Sequence, residues 1–100
     1  MARKKLSAEE IVEQTSGLQT WVTEDIFLKK RFNFDDFAEA LNFVNRVGAA
    51  AEKLNHHPDI TFGWGYAEFA ITTHDAGGLT HHDFDLAKVI ETIAQNQEQV

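Results

Sequence analysis

Residues 33–54 of the chain read NFDDFAEALNFVNRVGAAAEKL. Asn33 with Asp36 is an N-terminal helix signal, since acidic side chains near a helix start interact favourably with the helix dipole. Behind this signal, apolar residues recur at three- and four-residue steps, which is typical of a helix with one side on a core. They are Phe37, Ala40, Leu41, Val44, Val47, Ala51 and Leu54. The pattern predicts a long helix over residues 34–53.

Two further helices are predicted from capping boxes, in which a Ser or Thr pairs with an acidic residue three positions later. Ser7 with Glu10 predicts a helix over residues 8–14, and Thr80 with Asp83 predicts a C-terminal helix. The inner side of that last helix is expected to carry Ala87, Ile90, Ile93 and Ala94. The adjacent histidines at its start, residues 81 and 82, are expected on the surface.

Between the helices the pattern changes to that of strands. Residues 18–23 and 26–32 are rich in aromatic and β-branched side chains around Glu24 and Asp25, which predicts a hairpin. Residues 60–63 and 66–73 form a second predicted pair. The element order α-β-β-α-β-β-α predicts an α+β fold, with helices packed on one face of a four-stranded antiparallel sheet. We expect a single domain over residues 1–100, with residues 1–5 flexible.

The charge of the chain argues against direct binding of nucleic acid. The formal net charge is −7, and Arg3, Lys4 and Lys5 supply three of the nine basic residues. The remaining chain stands at −10, with 6 basic against 16 acidic residues, and would repel a phosphate backbone. The absence of cysteine excludes disulfides and thiolate metal sites.

Nothing in the sequence predicts a membrane protein. The chain has no run of about 18 apolar residues that could span a bilayer. Its basic start is followed by Ser7-Ala8-Glu9-Glu10 and not by an apolar stretch, so no signal peptide is predicted. We therefore expect a cytoplasmic location.

The residues best suited to chemistry lie within one stretch of 32 positions. They are Glu52, His56, His57, Pro58, Trp64, His74 and Asp83. Histidine suits proton transfer near neutrality, because its ordinary pKa is about 6.5. Three imidazoles, two carboxylates and an indole would suit an acid–base site for a small flat heterocycle.

The predicted elements suggest how these residues could meet. Pro58 biases His57 to an extended conformation, so the two adjacent histidines should point to opposite sides. One of them could then face a pocket while the other lines or orients it. His74 is expected at the end of a strand, and if that hairpin folds back, His74 could lie near this pair. Glu52, one helical turn before His56, could accept a hydrogen bond from an imidazole or a ligand.

Each residue also has a structural interpretation. The His56-His57 pair could be a solvated loop, His74 an ordinary turn residue, and Trp64 part of the core. Asp83 is explained by its capping box without any chemistry. Three histidines could in principle bind a metal, but adjacent histidines diverge and the helical His-x-x-x-His spacing is absent. No metal site is therefore predicted.

Taken together, the seven residues closely resemble the signature of the pterin-4a-carbinolamine dehydratases. The resemblance continues through Trp21 and residues 31–37, 46–47, 51–54, 72–74 and 77–79, and it covers about residues 5–95. It implies an α+β domain with a four-stranded antiparallel sheet and three helices. The implied activity is dehydration of 4a-hydroxytetrahydropterin to the quinonoid dihydropterin, which recycles the pterin used by aromatic amino acid hydroxylases. No metal or organic cofactor is implied.

The resemblance also implies roles for individual residues. It makes His56, His57 and His74 catalytic. The implied substrate contacts are Glu52, Asn55, Trp64, Thr72, Thr73 and Asp83. Asn55 departs from the family, where this position is often acidic, and Ile60 replaces a tryptophan of animal members. A homodimer or homotetramer is implied, and the alternative function is a non-catalytic protein-binding or dimerisation module.

Overall fold

A computed structural model describes residues 4–97 of the chain. Its elements are α1 (Ala8–Thr15), β1 (Val22–Glu24), β2 (Phe27–Asn33), α2 (Phe37–Leu54), β3 (Asp59–Gly63), β4 (Tyr66–Ile71) and α3 (His81–Gln97), with a 3-10 turn at His74–Ala76. This order confirms the predicted α+β fold. The expectation of a flexible end falls partly on residues 1–3, which lie outside the described range. None of the helices in the described range is long and apolar enough to cross a membrane.

The four strands form one antiparallel sheet in the order β1-β2-β4-β3. The pairing of β3 with β4 determines which chain segments meet, because Gly63 lies opposite Tyr66 and Asp59 lies opposite Ala70. The chain therefore enters β3 and leaves β4 at the same end of the sheet. Residues 56–58 and residues 72–74 are brought together in this way.

The helices pack on one face of the sheet, as predicted. Side chains alternate along a strand, so every second residue of β2 and β4 turns to the helices, and Leu28, Ala67, Phe69 and Ile71 are buried there. Phe43 of α2 is fully buried against this face. Its ring centroid lies 5.0 Å from that of Phe32 and 5.7 Å from that of Phe69. Aromatic packing therefore joins the long helix to the central strands.

The start and the buried side of α2 differ from the prediction. The N-cap is Asp36, whose carboxylate accepts a 2.9 Å bond from the Glu39 amide, whereas Asn33 is the last residue of β2 and pairs with Tyr66. The buried side chains of α2 are those of Ala40, Phe43, Val47 and Ala51. The predicted stripe was wrong at Phe37, Leu41 and Leu54, which are exposed. The face of α2 that packs on the sheet is narrower than the predicted stripe, and it is centred on Phe43.

Two strand boundaries were also wrong. Residues 18–21 form a turn, in which the Trp21 amide donates to the Leu18 carbonyl, and β1 begins only at Val22. Leu18 and Trp21 are nevertheless buried. At the other boundary, β4 ends at Ile71, and Thr72 and Thr73 have left the sheet. Apolar content alone did not distinguish a buried turn from a strand.

A polar cluster ties β2 and the 18–21 turn to α3. The Glu91 carboxylate accepts bonds from Trp21 Nε1 at 2.8 Å, Thr20 Oγ1 at 3.2 Å and the Lys30 ammonium. Partial burial acts to raise the pKa of Glu91, but the bonds from Lys30, Trp21 and Thr20 outweigh it and hold that pKa below its ordinary value. The folded state therefore favours the ionised carboxylate.

Glu91→Gln should lower the free energy of unfolding by about 1.5 kcal/mol at pH 7, because it weakens bonds to a charged acceptor. Because the pKa of Glu91 is lower in the folded protein, its ionised carboxylate stabilises the fold at pH values above the unfolded-state pKa of about 4.3. This stabilisation is lost as the pH falls through the folded-state pKa. The difference between wild type and variant should therefore narrow at pH 4 and below. Urea unfolding at pH 7, 4 and 3 measures it.

Glu68→Gln provides the control, since Glu68 forms an exposed pair with Arg31 at 3.1 Å. An exposed pair contributes about 0–1 kcal/mol. Equal losses in the two variants at pH 7 would contradict a stabilising role for the Glu91 cluster.

Candidate active site

The backbone conformation at the end of α2 positions the two adjacent histidines. Asn55 adopts the left-handed conformation, with φ 53° and ψ 40°. The His56 amide donates to the Ala51 carbonyl at 3.2 Å, and the Asn55 amide donates to the Glu52 carbonyl at 3.2 Å. This is the Schellman pattern of a helix end, with Asn in place of the usual Gly. The turn carries the chain away from α2, so that His56 and His57 follow directly.

His56 is held inside the protein by Asp83. Its side chain is 5% exposed, and its Nε2 lies 2.6 Å from Asp83 Oδ1. Asp83 itself is fully buried at 0% exposure. A buried carboxylate next to one ring nitrogen sets both the orientation and the tautomer of a histidine.

The other oxygen of Asp83 binds two threonines. Asp83 Oδ2 accepts 2.8 Å bonds from the Thr73 hydroxyl and from the Thr80 amide. The Thr73 and Thr80 hydroxyls lie 2.8 Å apart, and the Thr80 hydroxyl accepts from the His82 amide at 3.2 Å. Because the Thr73 hydrogen is used on Asp83, the Thr80 hydroxyl must donate to Thr73. Half of the predicted capping box at the start of α3 thus forms, since the Asp83 carboxylate accepts from the Thr80 amide, whereas the Asp83 amide donates to the Thr80 backbone carbonyl and not to its hydroxyl. The same carboxylate also holds His56.

His57 and Glu52 form a second pair on the surface. His57 Nε2 is hydrogen-bonded to Glu52 Oε2, and both side chains are more than half exposed. Glu52 lies in the last turn of α2, so the helix end positions this pair as well. His56 and His57 therefore differ in environment, one being buried and the other exposed.

His74 begins the short 3-10 turn after β4 and is exposed. It directly follows Thr73, whose hydroxyl shares Asp83 with His56. The Phe27 ring approaches the His74 ring edge-on, with 6.5 Å between centroids. The preceding Thr72 is buried, and its hydroxyl donates to the Ile26 carbonyl at 2.5 Å. The β1–β2 turn thus supports the segment that carries His74.

Trp64 does not lie near the three candidate histidines. It lies in the turn between β3 and β4, at the far end of β3 from His57, and is 73% exposed. Five strand residues at about 3.3 Å each separate the two ends by roughly 16 Å. Trp64 is thus neither a core residue nor a neighbour of the histidines within one chain.

Two residues near the histidines were missed in the sequence. His82, expected as a plain surface residue, is exposed, and its ring centroid lies 5.9 Å from that of His56. Phe27 was assigned only to a strand. The position of His82 beside Asp83 is a signal that could have suggested it, since the box residue was already a candidate. Phe27 carries no comparable signal, because its contact depends on how the hairpins meet.

The arrangement provides one buried, oriented imidazole and two exposed ones at a single end of the sheet. Such a set can donate and accept protons at different atoms of one ligand. Within residues 4–97, no three His, Asp or Glu side chains are grouped so as to hold a metal ion. A cleft of about 330 Å³ between the 17–20 turn and α3 has no histidine among its lining residues, so we do not place the site there.

Comparison with known proteins identifies the family and its fold. The sequence profile described as pterin 4 alpha carbinolamine dehydratase matches residues 4–93. A provisionally named pterin-4-alpha-carbinolamine dehydratase of Rubrobacter xylanophilus is 46% identical over 88% of this chain and 83% of its own. Another of Sulfurisphaera tokodaii is 41% identical over 90% of this chain and 97% of its own.

Solved structures agree with the sequence matches. A transcriptional coactivator/pterin dehydratase from Brucella melitensis superposes with a TM-score of 0.86 at 29% identity, covering 91% of this chain and 99% of that one. A pterin dehydratase-like protein described as a RuBisCO assembly factor shares the fold, with a TM-score of 0.61 at 24% identity over 74% of this chain and 86% of that one. The chain belongs to the pterin-4-alpha-carbinolamine dehydratase family.

Asn55 variants separate the backbone at the end of α2 from the Asn55 side chain. Asn55→Ala should destabilise the fold by about 1 kcal/mol relative to Asn55→Gly, since a β-carbon disfavours the left-handed conformation. Urea unfolding of both variants measures this difference. If Asn55 also contacts a substrate, Asn55→Gly should raise KM without loss of stability. A Gly variant less stable than the Ala variant would contradict the capping role.

Asp83→Asn should lower the free energy of unfolding by about 2 kcal/mol, because an amide NH2 then faces a hydrogen-bond donor in a buried site. The control is Asp85→Asn, an exposed position two residues along α3, which should stay within about 0.5 kcal/mol of wild type. Urea unfolding gives the stabilities, and the NMR signals of the His56 ring should shift only in Asp83→Asn. Equal stabilities of the two variants would rule out a structural role for the buried network.

Proposed function

We propose that the chain catalyses dehydration of 4a-hydroxytetrahydropterin to the quinonoid dihydropterin, as part of pterin recycling. The observation that carries the proposal is the buried His56–Asp83 pair. It lies at the sheet end where His57 and His74 also emerge, in a chain that belongs to this family. A buried, carboxylate-bound histidine with exposed histidines near it is expected of proton-transfer chemistry.

The reaction requires two proton transfers. The bond between C4a and the hydroxyl oxygen breaks, and the oxygen leaves as water after it receives a proton. A ring nitrogen of the pterin loses a proton, and its electron pair forms the new double bond to C4a. We assign these transfers to His74 and His56, with His57 positioning and polarising the ring. Groups placed in this way typically accelerate a reaction by about 10²–10⁴-fold.

The surrounding residues divide into those that meet the pterin and those that act through a histidine. Glu52 is exposed next to His57 and can accept from the amino-pyrimidine edge of the substrate. The Thr72 and Thr73 hydroxyls are engaged within the protein, and so are the backbone N–H and carbonyl of Thr73, so we assign only the Thr72 backbone to the substrate. Asp83 is buried, and we assign it the orientation of His56 instead of a substrate contact.

A non-catalytic role as a protein-binding module is the second candidate. The observation that favours it is the exposure of Trp64 together with Phe37, whose ring stacks on Phe62 at 5.7 Å between centroids. The related assembly factor shows that this fold also occurs in a protein described by its assembly role. The two candidates differ in whether removal of an imidazole has a measurable chemical effect.

The decay of freshly generated 4a-hydroxytetrahydropterin, followed by absorbance, tests the proposal. Wild type should accelerate this decay, and His56→Ala, His57→Ala and His74→Ala should each lower turnover by about tens- to thousands-fold. His81→Ala is the matched control, because His81 is an exposed histidine of the same chain outside the group.

Effects below threefold in all three variants would exclude histidine catalysis here. Failure of well-folded wild type to accelerate the decay would instead favour the protein-binding role. Circular dichroism of every variant separates loss of chemistry from loss of fold.

A further inference from the structure

β3 is an edge strand of the sheet, and its outer side pairs with no strand of residues 4–97. The other edge strand, β1, has only three residues, and a very short edge strand is one way in which proteins protect a sheet edge. β3 has five residues, and its interior, Ile60-Thr61-Phe62, contains neither a charged residue nor a proline. Its backbone is therefore a template for pairing with another strand.

Exposed aromatic side chains lie next to this edge. Trp64 directly follows β3 and is 73% exposed. Phe37 of α2 is 45% exposed, and its ring stacks on that of Phe62 with 5.7 Å between centroids. Ile60 and Phe62 belong to the face of the sheet that carries the helices, but they are only partly buried. The edge is thus apolar as well as open, which is typical of an interface.

A second copy of the chain matches this edge by symmetry. A two-fold axis perpendicular to the sheet keeps the helices of both copies on one face, so each β3 residue must lie opposite a residue of the same face. All five residues of β3 pair only if the axis passes through Thr61, the middle one. Ile60 then lies opposite the partner's Phe62, and Asp59, the one charged residue of β3, lies opposite the partner's Gly63. Apolar side chains therefore meet and like charges do not, which stabilises an antiparallel pair.

The same register brings Trp64 of one copy to a histidine of the other. Continued by one residue beyond the strand, the pairing places the partner's Trp64 beside Pro58, which directly follows His57. Paired strands lie about 4.8 Å apart, whereas β3 separates Trp64 and His57 of one chain by roughly 16 Å. The side chains of His57 and Glu52 are more than half exposed in the single chain, so the partner's indole has access to them.

We propose that a second copy of the chain completes each active site by supplying Trp64 beside His57. The pterin contact of Trp64 rests on the function proposed above. A pterin ring is planar, and an indole offers a flat apolar face on which such a ring stacks. His57 and Glu52 then meet the polar groups of the substrate while the partner's Trp64 covers its ring. This arrangement gives Trp64 the substrate contact that it does not make within one chain.

Disulfide trapping tests the register, and the chain suits it because it contains no cysteine. In the proposed pair Thr61 faces the partner's Thr61 with Cα atoms about 4.5–5.5 Å apart, a distance that a disulfide can bridge. Thr61 is exposed in the single chain, so Thr61→Cys should fold and should form covalent dimers under mild oxidation. Glu68→Cys is the matched control, since Glu68 lies opposite Thr61 on β4, one strand further from the edge.

The trapping experiment has two outcomes that would overturn the proposal. One is equal trapping of Thr61→Cys and Glu68→Cys. The other is a wild type that stays monomeric in analytical ultracentrifugation at the concentrations used for NMR.

The His57 ring reports the nearby indole without any substrate. Trp64→Leu should shift the NMR signals of the His57 ring, because the ring current of the indole is lost, and should leave those of His81 unchanged. Labelled Trp64→Leu chains refolded with unlabelled wild type should regain the wild-type His57 signals in the mixed pairs, because the partner then supplies the indole. His57 signals that do not respond to Trp64→Leu, or that wild-type chains do not restore, would overturn the proposal.

Pterin turnover at low substrate concentration adds a test of the shared site. Trp64→Ala should raise KM about tenfold through lost stacking, and His57→Ala should lower turnover at least about tenfold. When the two variants are refolded together, half of the pairs are mixed, and each mixed pair holds one site with both residues. The mixture should therefore reach about one quarter of wild-type turnover and exceed either variant alone.

The outcomes separate the shared site from the proposed function. A mixture no more active than the mean of the two variants, with an active wild type, would overturn the shared site and leave the dehydratase standing. An inactive wild type whose His57 signals still depend on the partner's Trp64 would overturn the dehydratase and leave the contact between the two copies standing.

Discussion

The hydrogen bond between His56 and the buried carboxylate of Asp83 is the interaction on which the site depends. A carboxylate removed from water needs strong hydrogen-bond partners, and Asp83 finds three, in His56, Thr73 and Thr80. His56 follows the end of α2, Thr73 follows the end of β4, and Thr80 directly precedes α3. One buried group therefore joins three chain segments that are far apart in the sequence, and it orients the histidine that we place at the centre of the chemistry.

The three candidate histidines have different physical environments, and this difference supports the separate proton-transfer and positioning roles that we propose for them. His56 is rigidly held in the interior, His57 is paired with Glu52 at the surface, and His74 lies exposed in a short turn. A fixed imidazole keeps one geometry for proton transfer, whereas exposed ones are accessible to a ligand and to water. The sheet makes this combination possible, because β3 and β4 are antiparallel neighbours that bring both segments to one end.

Much of the fold could be predicted because local chemistry and global structure agree. The capping box at Ser7, half of the predicted box at Thr80 and a tight turn one residue after the predicted Glu24-Asp25 position are short-range features that the structure contains. The errors arose where tertiary packing decided. Phe37 fits the helical period of α2 but is exposed, since only the side centred on Phe43 meets the sheet. Trp21 has a strand-like composition but is buried in a turn that packs on α3 through Glu91.

The sequence by itself determined the element order, the α+β class and the set of residues capable of proton chemistry, because these follow from periodicity, capping and side-chain type. Only the tertiary structure decided which of these residues meet. Asp83 serves as helix cap and as His56 partner at once, Trp64 lies at the opposite end of β3, and His82 comes beside His56. The physical reason is that burial and hydrogen-bond partners depend on strand order and on which helix face packs, and a one-dimensional pattern does not contain either.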